Sequence, residues 1–257
     1  MAGVSAGEST RVDCHVKVLN DRTVEYARRA GIDVLVYAPH FKRLSEIRER
    51  AAAYSTDSVQ VIPAREVFTG SWQDRKHVLA IGLEDPVPDF ITLEGAMTAF
   101  DRQDAAVLVP HPGFLTVSLT KRDIREYRDV IDAIEIFNPK HLPRHNRRAR
   151  TVASKFDLAP FTSSYAHLPR SVGVSYVEFD RSIESEAELV EAFRSNERRR
   201  VVYDNGLKRW GTTASELGHL VYENTWDKID RLLLSGTEPT HPDHIFYDGK
   251  FDDVAVY

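Results

Sequence analysis

The sequence predicts an α/β fold whose largely parallel sheet closes, or nearly closes, into a barrel. Two observations carry that expectation. Over the first two-thirds of the chain, short apolar runs alternate with longer segments of helical spacing. No glycine-rich phosphate turn follows the first strand-like run, which weighs against a doubly wound open sheet, the main structural rival. Continuous apolar strands bounded by helices are what a parallel sheet covered on both faces requires.

The elements follow in order. Residues 12–18 read as the first strand and 23–30 as its helix, with Gly31 as the helix stop. Residues 33–37 are a continuous apolar run ending at Ala38-Pro39-His40; 41–54 have helical spacing, and 59–63 are β-branched and strand-like. The alternation continues with strands at 77–82 and 105–109, a helix at 93–104 between them, and a helix at 121–130. A strand at 133–137, a helix at 143–156 and a strand at 159–162 complete the series. After Pro169 the character changes: a strand at 172–179, a helix at 185–195, a strand at 200–203, a long amphipathic helix at 214–235, and an irregular tail at 241–257. The expected division is a barrel core, 11–170, with a small C-terminal α/β appendage, 171–257, packed on it.

Bulk composition narrows the function. Hydrophobic residues at 42% and charged residues at 28% suit a globular protein with ample core material, and a net charge of −5 gives no reason to expect broad binding to nucleic acid or anionic membranes. The arginine clusters at 144–150 and 198–200 read as solvated helix faces. Cys14 is the only cysteine, which excludes an internal disulfide and a cysteine-rich zinc module; a small buried core residue is the expected role. Residues 1–10 lack the basic and apolar regions of a signal peptide, and no apolar stretch approaches the ~20 residues of a membrane span. A cytoplasmic protein without a membrane partner is expected.

The chemistry lies in the histidines. His15 lies within the first strand, His40 ends the second, Glu66 closes the third, His77 opens the fourth, His111 follows the fifth and His167 comes after the last. The C-terminal ends of strands in a parallel barrel converge on one face, so residues distant in sequence meet around one pocket. Imidazole nitrogens and carboxylate oxygens are ligands that Zn²⁺, Mn²⁺ and Fe²⁺ accept.

The motifs around these residues come in a specific order. Asp13-Cys14-His15-Val16-Lys17 is followed by Ala38-Pro39-His40, Ala64-Arg65-Glu66 and His77-Val78-Leu79. Pro110-His111-Pro112-Gly113, Ile134-Glu135-Ile136-Phe137-Asn138 and Ser164-Tyr165-Ala166-His167 complete it. This series, over about 12–173, resembles the polymerase and histidinol phosphatase (PHP) family. That family carries, in the same order, Asp-x-His-x-His, Asp-His, Glu, a lone His, His-Pro-Gly, Glu-x-x-Asn and Ser-Asp-x-His. Residues 171–179 resemble the C-terminal region that often follows the domain. The resemblance implies a distorted (β/α)₇ barrel, up to three metal ions, and phosphoester hydrolysis by a metal-activated water.

Several departures fall on ligand positions. Lys17 stands where the second His of the first motif belongs, Pro39 where Asp precedes His40, and Tyr165 where the late Asp belongs. The loop after the first motif is short, so a ligand often supplied there is missing. Sorted by metal, the first site keeps His15 and Glu66, the third keeps His40 and His167, and the second keeps its full set: Glu66, His77 and His111. One or two ions, Zn²⁺ or Mn²⁺ with Fe²⁺ also acceptable, are expected rather than three. An ammonium at Lys17 beside Glu66 would replace a lost metal's charge, keep Glu66 ionised and contact a substrate phosphate. Tyr165 would hydrogen-bond that phosphate or plug the emptied site. His15, Lys17 and Tyr165 are therefore the catalytic candidates, with Asp13 and Glu135 as residues that orient the ligands. The implied activity is hydrolysis of a phosphorylated metabolite or nucleotide, with a small phosphorylated partner and nucleic acid not favoured. The alternative is a non-catalytic barrel that keeps one metal as a binding or regulatory module. A weaker RNA-binding reading rests on 144–150.

Overall fold

The computed structural model describes residues 9–71, 74–113, 117–203 and 239–256; the helix expected at 214–235 lies outside them. Seven strands lead: β1 (Thr10–Val16), β2 (Val34–Tyr37), β3 (Gln60–Thr69), β4 (Lys76–Ile81), β5 (Ala106–Val109), β6 (Ala133–Phe137) and β7 (Ala159–Thr162). Between them lie α1 (Asp21–Ala30), α2 (Leu44–Tyr54), α3 (Leu93–Asp101), α4 (Lys121–Glu126) and α5 (Pro143–Phe156). After β7 come β8 (Ser175–Phe179), α6 (Glu186–Arg194) and β9 (Arg199–Tyr203). Local chemistry sets the helix ends. Asn20 and Thr23 form a reciprocal capping box at the start of α1, and Gly31, at φ 67°, ends it in the left-handed conformation.

The strands form one sheet in the order β7-β6-β5-β4-β3-β2-β1-β8-β9. Its ends curl together. The segment after β7 bridges in parallel to β1 at Val16 and Ala166, and Arg199 Nε on β9 donates to Pro160 O on β7 at 3.1 Å. The result is the nearly closed α/β barrel that the sequence predicts.

One strand corrects the parallel expectation. β1–β2–β3 and β5–β6–β7 pair in parallel, but β4 runs antiparallel to both β3 and β5. The cause is the connection. No helix separates β3 from β4 among the described residues, so the chain turns back at Gly70, at φ 79°, and must return antiparallel. Given that partner, β3 extends to Thr69, six residues beyond its expected end, because the antiparallel ladder from Ala64 to Thr69 satisfies its backbone. β8 also runs antiparallel, on β1, so the chain after residue 170 continues the same sheet.

The barrel interior is layered. Its apolar end collects Val12 and Cys14, Val34 and Val36, Ile62 and Ala64, Leu79 and Ile81, Ala106 and Leu108, Ala133 and Phe161. Leu189, Ala192 and Phe193 of α6 close that end. Following the period-two alternation along each strand out of this layer leads to the polar groups at the opposite rim.

Candidate metal centre

On three strands simple alternation delivers the side chains. Val34, Val36 and Ala38 lead to His40; Ile62 and Ala64 lead to Glu66; Ile81 and Leu79 lead to His77. His77 reaches the shared rim because β4 is reversed. At the start of a parallel strand it would lie at the far end of the barrel from Glu66. In the antiparallel register Glu66 faces Leu79 and Phe68 faces His77, whose ring stacks on Phe68 at 3.8 Å and 3°.

On two strands alternation breaks. The pairing of β1 with β2 is irregular between Asp13 and Val16, Cys14 faces the barrel interior and Val16 the outer core, and His15 and Lys17 both reach Glu66. On β5, Ala106 and Leu108 face inward while Val107 and Val109 face out, so a continued strand would send His111 outward. Instead His111 adopts φ 35°, in the left-handed region, and its ring turns back to Glu66. Such a backbone costs a non-glycine residue about 1–3 kcal/mol and persists where its surroundings hold it. Here the buried carboxylate of Glu135 accepts the His111 N–H at 2.7 Å, and also accepts from Asn138 Nδ2 at 3.1 Å and Ser163 Oγ at 2.8 Å.

Glu66 is the centre of the site, and its two oxygens have different company. Oε1 lies 3.2 Å from His111 Nε2 and 3.4 Å from His77 Nδ1. Oε2 accepts a hydrogen bond from the ammonium of Lys17 and lies 3.4 Å from His40 Nδ1 and 3.7 Å from His15 Nε2. Lys17 Nζ also donates to Ala38 O at 2.5 Å. The sequence places a cation beside this carboxylate, and the structure has it there, on the oxygen facing His15 and His40.

The donor set of Glu66, His77 and His111 fits a divalent ion. One ligand atom from each lies within 4.8 Å of the others, and all three residues are buried. Ser118 Oγ donates to His111 O at 2.5 Å and lies 3.4 Å from His111 Nδ1. The Nε2–Oε1 approach is a hydrogen bond in the tautomer protonated at Nε2; in the tautomer protonated at Nδ1 the Nε2 lone pair faces the carboxylate, an arrangement that a cation between them satisfies. Both ring nitrogens of His77 are buried without a hydrogen-bond partner, a cost that coordination of an ion would offset; those of His15, outside this donor set, also lack partners.

Electrostatics prepare the same donors. Burial, the largest single influence on Glu66, raises its pKa, but Lys17, the imidazoles of His15 and His77 and the His111 hydrogen bond together hold it well below the usual carboxylate range. Burial lowers His77 to about 4 against the pull of Glu66. His15 and His40 are pushed well down by burial first and by Lys17 second. A neutral imidazole at His77 and an ionised carboxylate at Glu66 are the forms in which a metal takes these two groups.

The remaining expected residues lie around this centre. Tyr165, at φ 49°, packs its ring 4.9 Å from that of His15, 5.7 Å from His111 and 5.0 Å from His167. His167 stands further out, its ring 6.0 Å from that of His40 and its Nδ1 2.7 Å from Lys140 Nζ. Asp13 acts on backbone: its carboxylate accepts from Ser164 N at 2.9 Å and Gly173 N at 3.0 Å, and burial raises its pKa to about 6. Glu135 likewise grips backbone at His111. Removing it in Glu135→Ala is expected to weaken metal affinity by about 10–100-fold, read by chelator competition; unchanged affinity would show that His111 holds its conformation without it.

Sequence reasoning passed over Ser118, Lys140 and His141. Lys140 and His141 follow Asn138 at the end of β6, so the strand-end criterion that selected the other histidines applies to them as well. Ser118 carries no such signal; it meets His111 through the fold of its loop. Cys14 is buried, and Arg144, Arg147 and Arg148 are exposed on α5.

Fold and site define a class: a nearly closed α/β barrel with a carboxylate–histidine cluster, a candidate metal site, at one rim. A family model described as PHP-associated matches residues 143–197, which run from α5 through α6. No curated protein matches the sequence. Among solved structures, PsfC from Pseudomonas syringae PB-5123 aligns with a TM-score of 0.63 at 15% identity, covering 85% of this chain and 99% of PsfC. A two-domain protein from Bacteroides vulgatus ATCC 8482, containing a predicted PHP-like metal-dependent phosphoesterase, gives 0.56 at 17% identity over 79% of this chain and 67% of that one. The lesion-specific endonuclease PfuEndoQ from Pyrococcus furiosus gives 0.58 at 15% identity over 76% of this chain and 58% of that one. At these identities the structural likeness is one of fold. Together with the PHP-associated match, it supports the PHP family that the order of the motifs resembles. Among the described residues, no helix is long and apolar enough to cross a membrane.

Proposed function

We propose that the protein is a metal-dependent phosphoesterase that holds one divalent ion on Glu66, His77 and His111 and uses Lys17 as a fixed positive charge beside it. The division of Glu66 carries this reading. Its Oε1 faces the two histidines of the intact ligand set, while its Oε2 is taken by an ammonium. Three protein ligands with a position left for water or substrate are the arrangement of a catalytic site. When bound, the ion supplies a Lewis acid and lowers the pKa of a bound water toward about 7. Lys17 keeps Glu66 ionised without consuming Oε1. With Glu66 and Ala38 O as acceptors, one proton of its ammonium remains for a phosphate oxygen. Phe68, stacked under His77, and Phe41, edge-on to Phe68 at 4.6 Å, give the site an apolar wall that strengthens these charges. Two imidazoles and a carboxylate suit Zn²⁺, Mn²⁺ or Fe²⁺. A phosphorylated metabolite or nucleotide is the substrate favoured by a site this enclosed.

The second reading, a barrel that keeps a metal without turnover, draws on the same pair: Lys17 occupies the carboxylate oxygen that a second ion would need. Metal analysis of purified protein, joined to hydrolysis of a generic phosphomonoester and a phosphodiester, separates the two. The diester arm also covers nucleic acid, since a solved structure of endonuclease Q with a 27-mer duplex shares the fold. The expected result is activity abolished by chelation, restored by Mn²⁺ or Zn²⁺, and reduced at least about a hundredfold in His111→Ala. Bound metal without turnover of either ester favours the second reading; failure to bind metal overturns both.

A further inference from the structure

An open cavity of about 760 Å³ lies between α1 and the turn that follows His167. Arg22, Glu25, Tyr26 and Arg29 line it from α1, at a helical spacing that puts them on one face. Pro169 and Arg170 line it from the turn. The charges here do not cancel. Arg28 and Arg29 take the carboxylate of Glu25, at 3.0 and 2.7 Å, and Asp21, at the first position of α1, is answered by the positive end of the helix. Arg22 and Arg170 are exposed and have no ion-pair partner among the described residues.

The fold ties this cavity to the candidate metal site. α1 begins where the chain leaves β1 at the rim, so Arg22 follows Lys17 by five residues, and Arg170 follows His167 by three. Five and three residues of chain span at most about 18 and 11 Å. The two segments are also fastened to each other. Lys17 N donates to Ala166 O at 2.8 Å, and the buried carboxylate of Asp13 accepts from Gly173 N at 3.0 Å. Gly173, at φ 77°, packs so closely on the end of α1 that a Cβ there would lie 2.7 Å from Ala30 Cβ. The capping box of Asn20 and Thr23 fixes the other end of the helix. The cavity is therefore pre-formed. Guanidinium groups match phosphate oxygens with paired donors, and Tyr26 and Pro169 add apolar contact beside them.

We propose that Arg22 and Arg170 bind a second phosphate of the substrate, remote from the one at the metal site, so that the protein selects substrates carrying at least two phosphate groups. The inference deepens the phosphoesterase reading and rests on it for the phosphate at the metal. A nucleoside bisphosphate and a short oligonucleotide share this chemistry and differ in the reach between phosphates. Once the first phosphate is held, the second binds within the same complex, so each tightens the other.

Calorimetry on the full-length, metal-loaded protein compares thymidine 5′-monophosphate, thymidine 3′,5′-bisphosphate and a 5′-phosphorylated tetrathymidylate, all as phosphorothioates that resist hydrolysis. The parent is expected to bind at least one of the two multiply charged probes about tenfold or more tighter than the monophosphate. A gain with the bisphosphate identifies a small substrate; a gain with the tetranucleotide alone identifies a strand. In Arg22→Gln combined with Arg170→Gln the gain is expected to vanish, with monophosphate affinity and metal content at the parent's values. Both positions are exposed, so the fold is expected to hold. Arg22→Lys combined with Arg170→Lys is expected to restore part of the gain. Arg144→Gln combined with Arg147→Gln removes the same charge from the exposed face of α5 and is expected to leave the gain intact. No gain in the parent, a gain that survives in the Arg22 and Arg170 glutamine variant, or one lost equally in the α5 control overturns the proposal. If no ester is hydrolysed yet the gain appears and depends on Arg22 and Arg170, the phosphoesterase reading fails while this assignment stands. Hydrolysis without any gain has the reverse meaning.

Discussion

Replacing Glu66 with alanine is expected to strip the protein of its metal and to cost about 3–5 kcal/mol of stability even in the metal-free state. Both effects follow from one carboxylate facing two ways. On the Oε1 side the variant loses a shared ligand, leaving His77 and His111 without the negative charge that attracts a divalent ion. On the Oε2 side it strands Lys17, whose side chain is 4% exposed and whose ion-pair partner is Glu66. A buried ammonium that loses its counter-charge must deprotonate or draw in water, and either course costs free energy. Chelated parent and variant, compared by urea unfolding, isolate the ion-pair contribution from stabilisation by the metal. Metal analysis reads the other half. A loss below about 1 kcal/mol in the metal-free state would place the pair among those that surroundings or water compensate. The double variant Lys17→Met with Glu66→Leu sharpens the case. It leaves no unpaired charge, so it is expected to recover most of the stability and none of the metal.

How much of this was legible in the sequence depends on what each residue's neighbours revealed. β6, α5 and β7 begin and end where their apolar patterns do, because each is flanked by turn residues and packs on a continuous core. The direction of β4 was not legible. Alternation with a period of two reads the same in both directions, and the short connection from Thr69 to Lys76 is the feature that shows the reversal. The second half of β3 was hidden for a different reason. Arg65 and Glu66 look like the end of a strand, yet both are buried: Glu66 in the polar layer of the barrel, and Arg65 paired with Asp89 at 3.1 Å. A charged residue in a strand signals solvent until its partner, more than twenty positions away in each case, is known. His111 and Ser118 mark the limit of pattern reasoning. The ring of His111 reaches Glu66 by breaking the alternation, and Ser118 meets His111 through the fold of its loop. Composition could reveal neither.

The departures at Lys17 and Tyr165 lead to the second large effect: Lys17→His combined with Tyr165→Asp is expected to raise metal content by about one ion per chain. Lys17 donates to Glu66 Oε2 and so supplies positive charge at that oxygen, as an ion there would. Exchanging it for a neutral imidazole removes the competing cation and adds a donor beside His15, whose buried ring nitrogens lack hydrogen-bond partners. Tyr165 is the natural second change, since its ring packs 4.9 Å from that of His15 and lies 5.8 Å from Lys17 Nζ. Its backbone, at φ 49°, is in the left-handed region, which aspartate tolerates better than tyrosine, so the exchange carries no backbone penalty. The second carboxylate also replaces the negative charge that a second divalent ion needs once the ammonium is gone. Each single change falls short for a stated reason: Lys17→His alone leaves one carboxylate for two ions, and Tyr165→Asp alone leaves the ammonium in place, where it pairs with the new carboxylate. Elemental analysis after equilibration with Mn²⁺ and removal of free metal reads the outcome. An unchanged metal content in a folded double variant would mean that Lys17 holds Glu66 for structural reasons and does not stand in for an ion.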